Sequence, residues 1–155
     1  MELTFRVSGR IARPVEDVFE AVVNPDQLSR YFTTGGAKGR LETGATVTWD
    51  FADFPGAFPV TVVEVVAPRR IVLRWEAADD APDGEPAQPH DTTVTMTFEA
   101  LEDGRTLVTI SEDGWRQTPK GLAASYSNCE GWTGMLYAMR MWLEHGLEVR
   151  EGYYK

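Results

Sequence analysis

A single cysteine, Cys129, leaves no internal disulfide to staple the chain, which points to a reducing, cytoplasmic setting. No apolar run approaches the ~20 residues that a bilayer span needs. The opening residues MELTFRVSGR also lack the apolar core of a signal peptide, so neither a membrane-spanning nor a secreted protein is expected. Basic side chains are scarce: 15 Lys and Arg stand against 24 Asp and Glu, for a net charge of −9. A field of that sign repels phosphate backbones and anionic membrane surfaces, which argues against nucleic-acid and membrane partners. The excess is lopsided, because residues 79–155 hold 14 acidic and only 6 basic side chains. What remains is ordinary: 43% hydrophobic and 25% charged residues exclude a disordered chain, a collagen-like fibre and a disulfide scaffold. A length of 155 residues suits one domain spanning 1–155, large enough to bury a core unaided.

Hydrophobic periodicity supplies the element order. Leu3, Phe5, Val7 and Ile11 alternate with polar residues, as a half-buried strand requires. Pro14, followed by Glu16 and Asp17, opens a helix, and Asn24-Pro25 breaks it before a second short helix over 25–31. TTGGAKG at 33–39 reads as a glycine-rich loop. Strands are predicted over 45–51, 58–67, 70–76, 92–100 and 105–112, with turns at 53–56, 67–69 and 102–104. Turns this short imply an antiparallel meander. Residues 77–91, AADDAPDGEPAQPHD, read as a mobile surface loop. From Lys120 the apolar period becomes three to four: Leu122, Tyr126, Cys129, Trp132 or Thr133, Leu136, Met139, Leu143 and Leu147 outline one amphipathic helix to about Arg150.

That order describes an α+β protein with about six antiparallel strands and one long helix to cover them. A helix about 10 Å wide cannot cover a sheet about 28 Å across, although curving the sheet helps and the two short helices can plug one end. A gap between sheet and helix, and hence a pocket, is expected. Trp49, Phe51, Phe54, Phe58, Trp75, Phe98, Trp115, Tyr126 and Trp132, with Met96, Met135 and Met139, are placed to line it or to fill the core. Glu112 shares the inward face of Val108 and Ile110. It stands either in water at the rim or buried, where its pKa would rise and suit acid–base work. Gly131 and Gly134 in GWTG permit close packing, make room for a ligand, or bend the helix.

Metal and cofactor chemistry find no support. His90 lies in the loop, and Cys129 and His145 stand 16 residues, about 24 Å, apart on one helix. No phosphate-binding loop, nucleophile elbow or dinucleotide fingerprint occurs. Cys129 reads as a packed small hydrophobe, and His145 as a capping or surface residue.

PVEDVFEAVVNPDQLSRYFT at 14–33, VTVVEVVAPRRIVLRWE at 60–76, TTVTMTFEAL through TLVTISEDGW at 92–115, and NCEGWTGMLYAMRMWLEHG at 128–146 resemble the SRPBCC (START-like) superfamily. The nearest branch is the bacterial homologues of the heat-shock-protein ATPase activator C-terminal domain. The resemblance implies a helix-grip fold: a curved antiparallel sheet wrapped around a C-terminal helix, with two short helices after the first strand. It spans carriers of lipids and hormones, polyketide cyclases and a co-chaperone of the stress response. The eukaryotic activator has a further N-terminal domain that these residues do not contain.

Three functions are therefore expected, in descending order. The first is non-catalytic binding of a small apolar or amphipathic ligand, walled by Trp49, Phe51, Trp75, Met96, Trp115, Tyr126, Trp132, Leu136 and Met139, with Glu112 as polar contact. The second is a cyclase or dehydratase using Glu112 as acid or base and Tyr126 as hydroxyl donor. The third is a module acting on a chaperone's ATPase cycle. A homodimer is allowed, although no residue marks its interface.

Overall fold

A computed structural model describes residues 1–79 and 88–155. The chain runs β1 (Thr4–Ile11), α1 (Val15–Val23), α2 (Pro25–Tyr31), β2 (Gly36–Lys38), β3 (Thr46–Phe51), β4 (Phe54–Val66), β5 (Arg70–Glu76), β6 (Asp91–Ala100), β7 (Thr106–Asp113) and α3 (Pro119–His145). Among the described residues, all seven strands join one antiparallel sheet in the order β1-β7-β6-β5-β4-β3-β2. The meander and the closing helix agree with the α+β helix-grip expectation. Register shifts at Trp49/Phe51 and Val62/Glu64 mark bulges, which bend the sheet around the helix side. Strict alternation along β7 buries Thr106, Val108, Ile110 and Glu112 and leaves Leu107, Thr109, Ser111 and Asp113 on the more exposed face, the pattern of a sheet with one solvated side.

Local chemistry explains the element ends. Asn24 ends α1 and caps α2, its Oδ1 accepting from the Asp26 and Gln27 amides at 2.9 and 3.3 Å. Thr118 caps α3 through the Gly121 amide at 3.0 Å, with Pro119 in the first helical position. Gly146, at φ +68°, takes the left-handed conformation that closes α3.

Three expectations change. The sheet has seven strands, because the glycine-rich loop contributes β2, whose Ala37 pairs with Trp49. Gly35 makes this possible, since a Cβ there would stand 2.8 Å from the Asp50 carboxyl carbon. The turn expected at 53–56 is instead the two residues Ala52-Asp53, Phe54 already pairing with Phe51. The helix stops at His145 rather than near Arg150, and the remaining residues fold back along it. Within the loop expected to be mobile, residues 80–87 lie outside those described. Its flanks are anchored, with Asp79 wholly buried.

The burial stripe of α3 is also out of phase with the expected one at its start. Leu122 and Tyr126 are exposed, and small residues, Ala124 and Ser125, carry the buried face until Trp132, Met135, Leu136 and Met139 take over. Among the described residues, no helix is long and apolar enough to cross a membrane.

Candidate functional site

The strand register places a carboxylate at the heart of the molecule. Trp75 on β5 pairs with Thr92 on β6, and Val94 pairs with Glu112 on β7, so Trp75, Thr92 and Glu112 share the inward face of three adjacent strands. Glu112 is wholly buried. Trp132 Nε1 donates to Oε1 at 2.8 Å, while Trp75 Nε1 and Thr92 Oγ1 donate to Oε2 at 2.8 and 2.6 Å. Asn128 Nδ2 straddles both oxygens at 3.2 and 3.0 Å. All four donors are neutral. Burial pushes the carboxyl above its ordinary value, and the hydrogen bonds only partly pull it back.

This arrangement fixes two indoles by their polar edges, Trp132 within the core and Trp75 half-buried at its margin. The backbone of α3 lies along β1, at one edge of the sheet, so the β3–β5 side is bridged by side chains. Trp132 lies 5.4 Å from Trp75 and 5.1 Å from Phe32, centroid to centroid. Phe51, Phe58 and Trp75 continue the belt at 5.8 and 5.9 Å. Beyond this belt opens a cleft of about 840 Å³, bordered by Phe51, Phe58, Trp75, Asn128, Trp132 and Arg150 among others. Volumes of this order hold small organic molecules.

The residues singled out from sequence divide into four groups. Phe51, Trp75 and Trp132 line the cleft. Glu112 lies behind them, shielded by its own donors, and Trp49 is buried edge-on against Trp75 and Phe32. Met96, Leu136 and Met139 belong to the packed core, and Trp115 stacks on Phe5 at 5.5 Å. Tyr126 is 67% exposed on the far face of α3. There it borders a second groove of about 640 Å³, and the structure does not bring its hydroxyl to Glu112. Cys129 borders that outer groove too. Because α3 is unbroken, its separation from His145 stands.

Sequence reasoning missed Asn128, Thr92 and Arg150. Asn128 stands four residues before Trp132, so the i, i+4 spacing of α3 already puts the two side by side. Thr92 is diagonal to Glu112, legible once the register is known. Arg150 carried no signal, since it was assigned to the helix. It lies instead on the returning tail, its guanidinium over Phe32, Phe51 and Tyr154 at 5.0, 5.8 and 4.8 Å, its Nη1 donating to the Gly131 carbonyl at 3.2 Å. Gly134 admits this tail, because a Cβ there would meet the Tyr154 hydroxyl at 2.1 Å. Asp53 holds it from the other side, accepting from the Gly152 and Tyr154 amides at 2.7 and 2.9 Å.

A second buried carboxylate guards the opposite margin. Asp79 accepts from the Arg116 amide at 2.7 Å and from Arg116 Nη1 at 3.0 Å, and His90 Nε2 stands 3.4 Å away. Arg116 Nη2 also donates to the Gln88 carbonyl. Both flanks of the 80–87 segment are thereby tied to the β7–α3 connection. Ala77, Ala78 and Pro89 of these flanks border the cleft.

Comparison with known proteins follows the same lines. The family model described as "Activator of Hsp90 ATPase homolog 1-like protein" matches residues 12–144. No curated protein matches the chain. Protein SSP2350 from Staphylococcus saprophyticus is 24% identical, with a TM-score of 0.76 over 95% of this chain and 96% of that one. The Aha1 dimer from Colwellia psychrerythraea is 18% identical, with a TM-score of 0.67 over 96% and 98% of the respective chains. DynU16, from the dynemicin biosynthetic locus, is 23% identical with a TM-score of 0.77; 97% of this chain covers half of that one. Identities this low show a shared fold.

Proposed function

The chain belongs to the Activator of Hsp90 ATPase homolog 1-like family, and from that premise we propose that it binds a small apolar or amphipathic molecule, without transforming it, in the aromatic cleft between sheet and helix. The observation that carries this reading is the wall itself. Trp75 and Trp132 are held by their indole nitrogens on Glu112; Trp132 is buried between its aromatic neighbours and backs the wall, while Trp75, half-buried, presents surface to the cleft. Rings fixed before a ligand arrives lose little conformational freedom on binding, which favours affinity. The acid–base alternative has less support, because both oxygens of Glu112 are engaged and none of its surface is accessible.

N-Phenyl-1-naphthylamine, a neutral fluorescent probe, tests the reading. One equivalent should bind with enhanced emission, and Trp75→Ala should weaken it about tenfold, the loss of one aromatic contact face. Absence of saturable binding, or a Trp75→Ala variant that binds as well, would overturn it. Native mass spectrometry of freshly purified protein would identify a resident ligand.

One observation favours an interaction role beside this one: Leu122, Tyr126 and Tyr137 stand exposed along the outer face of α3. If that face acts on a chaperone, the protein should change Hsp90 ATP turnover and Tyr137→Ser should abolish the change; no change in turnover rejects the role. The protein's assembly as a homodimer in a cytoplasmic setting belongs to the same proposal, the Colwellia structure being a dimer; a monomer in sedimentation would reject the dimer.

A further inference from the structure

The cleft has one end unlike the rest. Arg150 borders it with its guanidinium against the faces of Phe32, Phe51 and Tyr154, and burial pulls its pKa below the ordinary arginine value. Desolvation of a cation is costly unless an anion or aromatic faces compensate it. Among the described residues, no carboxylate stands within ion-pair distance of Arg150. The nearest negative influence is Asp53, whose oxygens are already taken by the Gly152 and Tyr154 amides. The only hydrogen bond the Arg150 guanidinium donates within the described residues goes to the Gly131 carbonyl. A guanidinium has five N–H donors in a planar fork, so most of its capacity is unspent.

The opposite end differs in sign. Glu76 and Asp91, paired across β5 and β6, border the cleft there, with Arg74 exposed beside them. Between the two ends lie Phe58, Trp75 and Trp132. A molecule lying along the rings would meet a free cation at one end and carboxylates at the other. A doubly charged phosphate is poorly suited to a single guanidinium in a chain of net charge −9. A planar, singly charged carboxylate matches the fork.

We propose that the cleft selects an aromatic or apolar monocarboxylate, its body against Trp75 and Phe58 and its carboxylate on Arg150. The inference rests on the ligand-binding reading above and names the class of ligand for that site. It also gives the returning tail a function, since Gly134 and Asp53 hold Arg150 in place.

The test uses two probes of one shape, 2-naphthoate and its neutral amide 2-naphthamide, titrated against the whole protein by quenching of tryptophan fluorescence at low ionic strength. Naphthoate should bind about tenfold tighter or more, the scale of one charge-assisted hydrogen-bonded pair, and the advantage should shrink with added salt. Arg150→Met should remove the preference for naphthoate over naphthamide, and Arg150→Lys should restore part of it. Tyr137→Ser, in the outer groove, should change neither. Circular dichroism and melting temperature confirm that each variant is folded. Equal binding of the two probes by the native protein, or a preference that survives in Arg150→Met, overturns the inference while leaving the cleft reading intact. Binding of neither probe overturns both.

Discussion

Glu112 and Asp79 are both shielded completely from water, yet the molecule compensates them in opposite ways. Asp79 meets a cation, Arg116, and a histidine, and its work is to tie loop flanks to the start of α3. Among the described residues, Glu112 meets only neutral N–H and O–H groups, drawn from two strands and one helix. An ion pair would have cancelled the charge and left the indoles free to turn. Four neutral donors leave the carboxyl electrostatically uncomfortable but fix each donor's orientation. The difference separates a clasp from an organiser, and four changes can break or sharpen it.

Removing the organiser should have the largest effect. Glu112→Leu strands the indole nitrogens of Trp75 and Trp132 and the amide of Asn128 in a water-poor interior, and each orphaned donor costs about 1 kcal/mol or more. Loss of the buried charge offsets part of this, so a net destabilisation of about 3 kcal/mol is expected by urea unfolding. Loss of neutral-probe binding should accompany it even where the variant remains folded. A variant of native stability would show that the four donors contribute nothing.

Asp79→Ala should cost less, about 2 kcal/mol. Arg116 retains access to water, its side chain being 25% exposed, so the stranded cation is partly rehydrated. The effect should also be local: the Arg116 amide, which donates to Asp79, should lose hydrogen-exchange protection while β6 and β7 keep theirs. Uniform loss of protection across the sheet would make Asp79 a second organiser and erase the distinction.

A third consequence concerns pH. The folded protein holds the Glu112 proton more tightly than the unfolded chain does, whose glutamates titrate near 4.5. As pH rises above 4.5, the unfolded chain releases this proton first. Stability therefore falls through the window up to the raised folded value, and levels off beyond it. Glu112→Gln lacks this ionisation, so the stability of the native protein minus that of the variant should decline over the window. Other titrating groups cancel in the difference. A flat or rising difference would mean that the donors outweigh burial.

How much of this was legible beforehand depends on the range of the interaction. Glu112 was found because period-two alternation along β7 needs no knowledge of neighbours. Trp75 and Trp132 were named as bulky aromatics, but their convergence on one carboxylate depends on register across β5, β6 and β7 and on the rotation of α3. That rotation was misjudged, since Leu122 and Tyr126 suggested a buried face that Ala124 and Ser125 in fact occupy. Size is the usual guide to burial, and where a helix approaches its sheet closely the small residues take the inner side. Arg150 was hidden for a different reason. Gly146 can be read as a helix stop, but nothing local says that the chain beyond it turns back, or that Gly134 leaves room for a tyrosine ring nine residues past the helix end.

Gly134→Ala isolates that last point and should scarcely change stability. Alanine in a helix interior is favoured over glycine by about 1 kcal/mol. Against this, its Cβ would collide with the Tyr154 hydroxyl at 2.1 Å, a group with no hydrogen-bond partner among the described residues. The tail is the part that can yield, because its anchors are surface hydrogen bonds to Asp53, one to the Gly131 carbonyl and ring contacts of Arg150 rather than core packing. A net change within about 1 kcal/mol is therefore expected. The Gly152 and Tyr154 amides should nevertheless exchange faster, and 2-naphthoate should lose its advantage over 2-naphthamide as Arg150 leaves the cleft. Were the amides to stay protected and the preference to persist, the tail would have accommodated the methyl group without moving. The clearance at Gly134 would then have no bearing on where Arg150 stands.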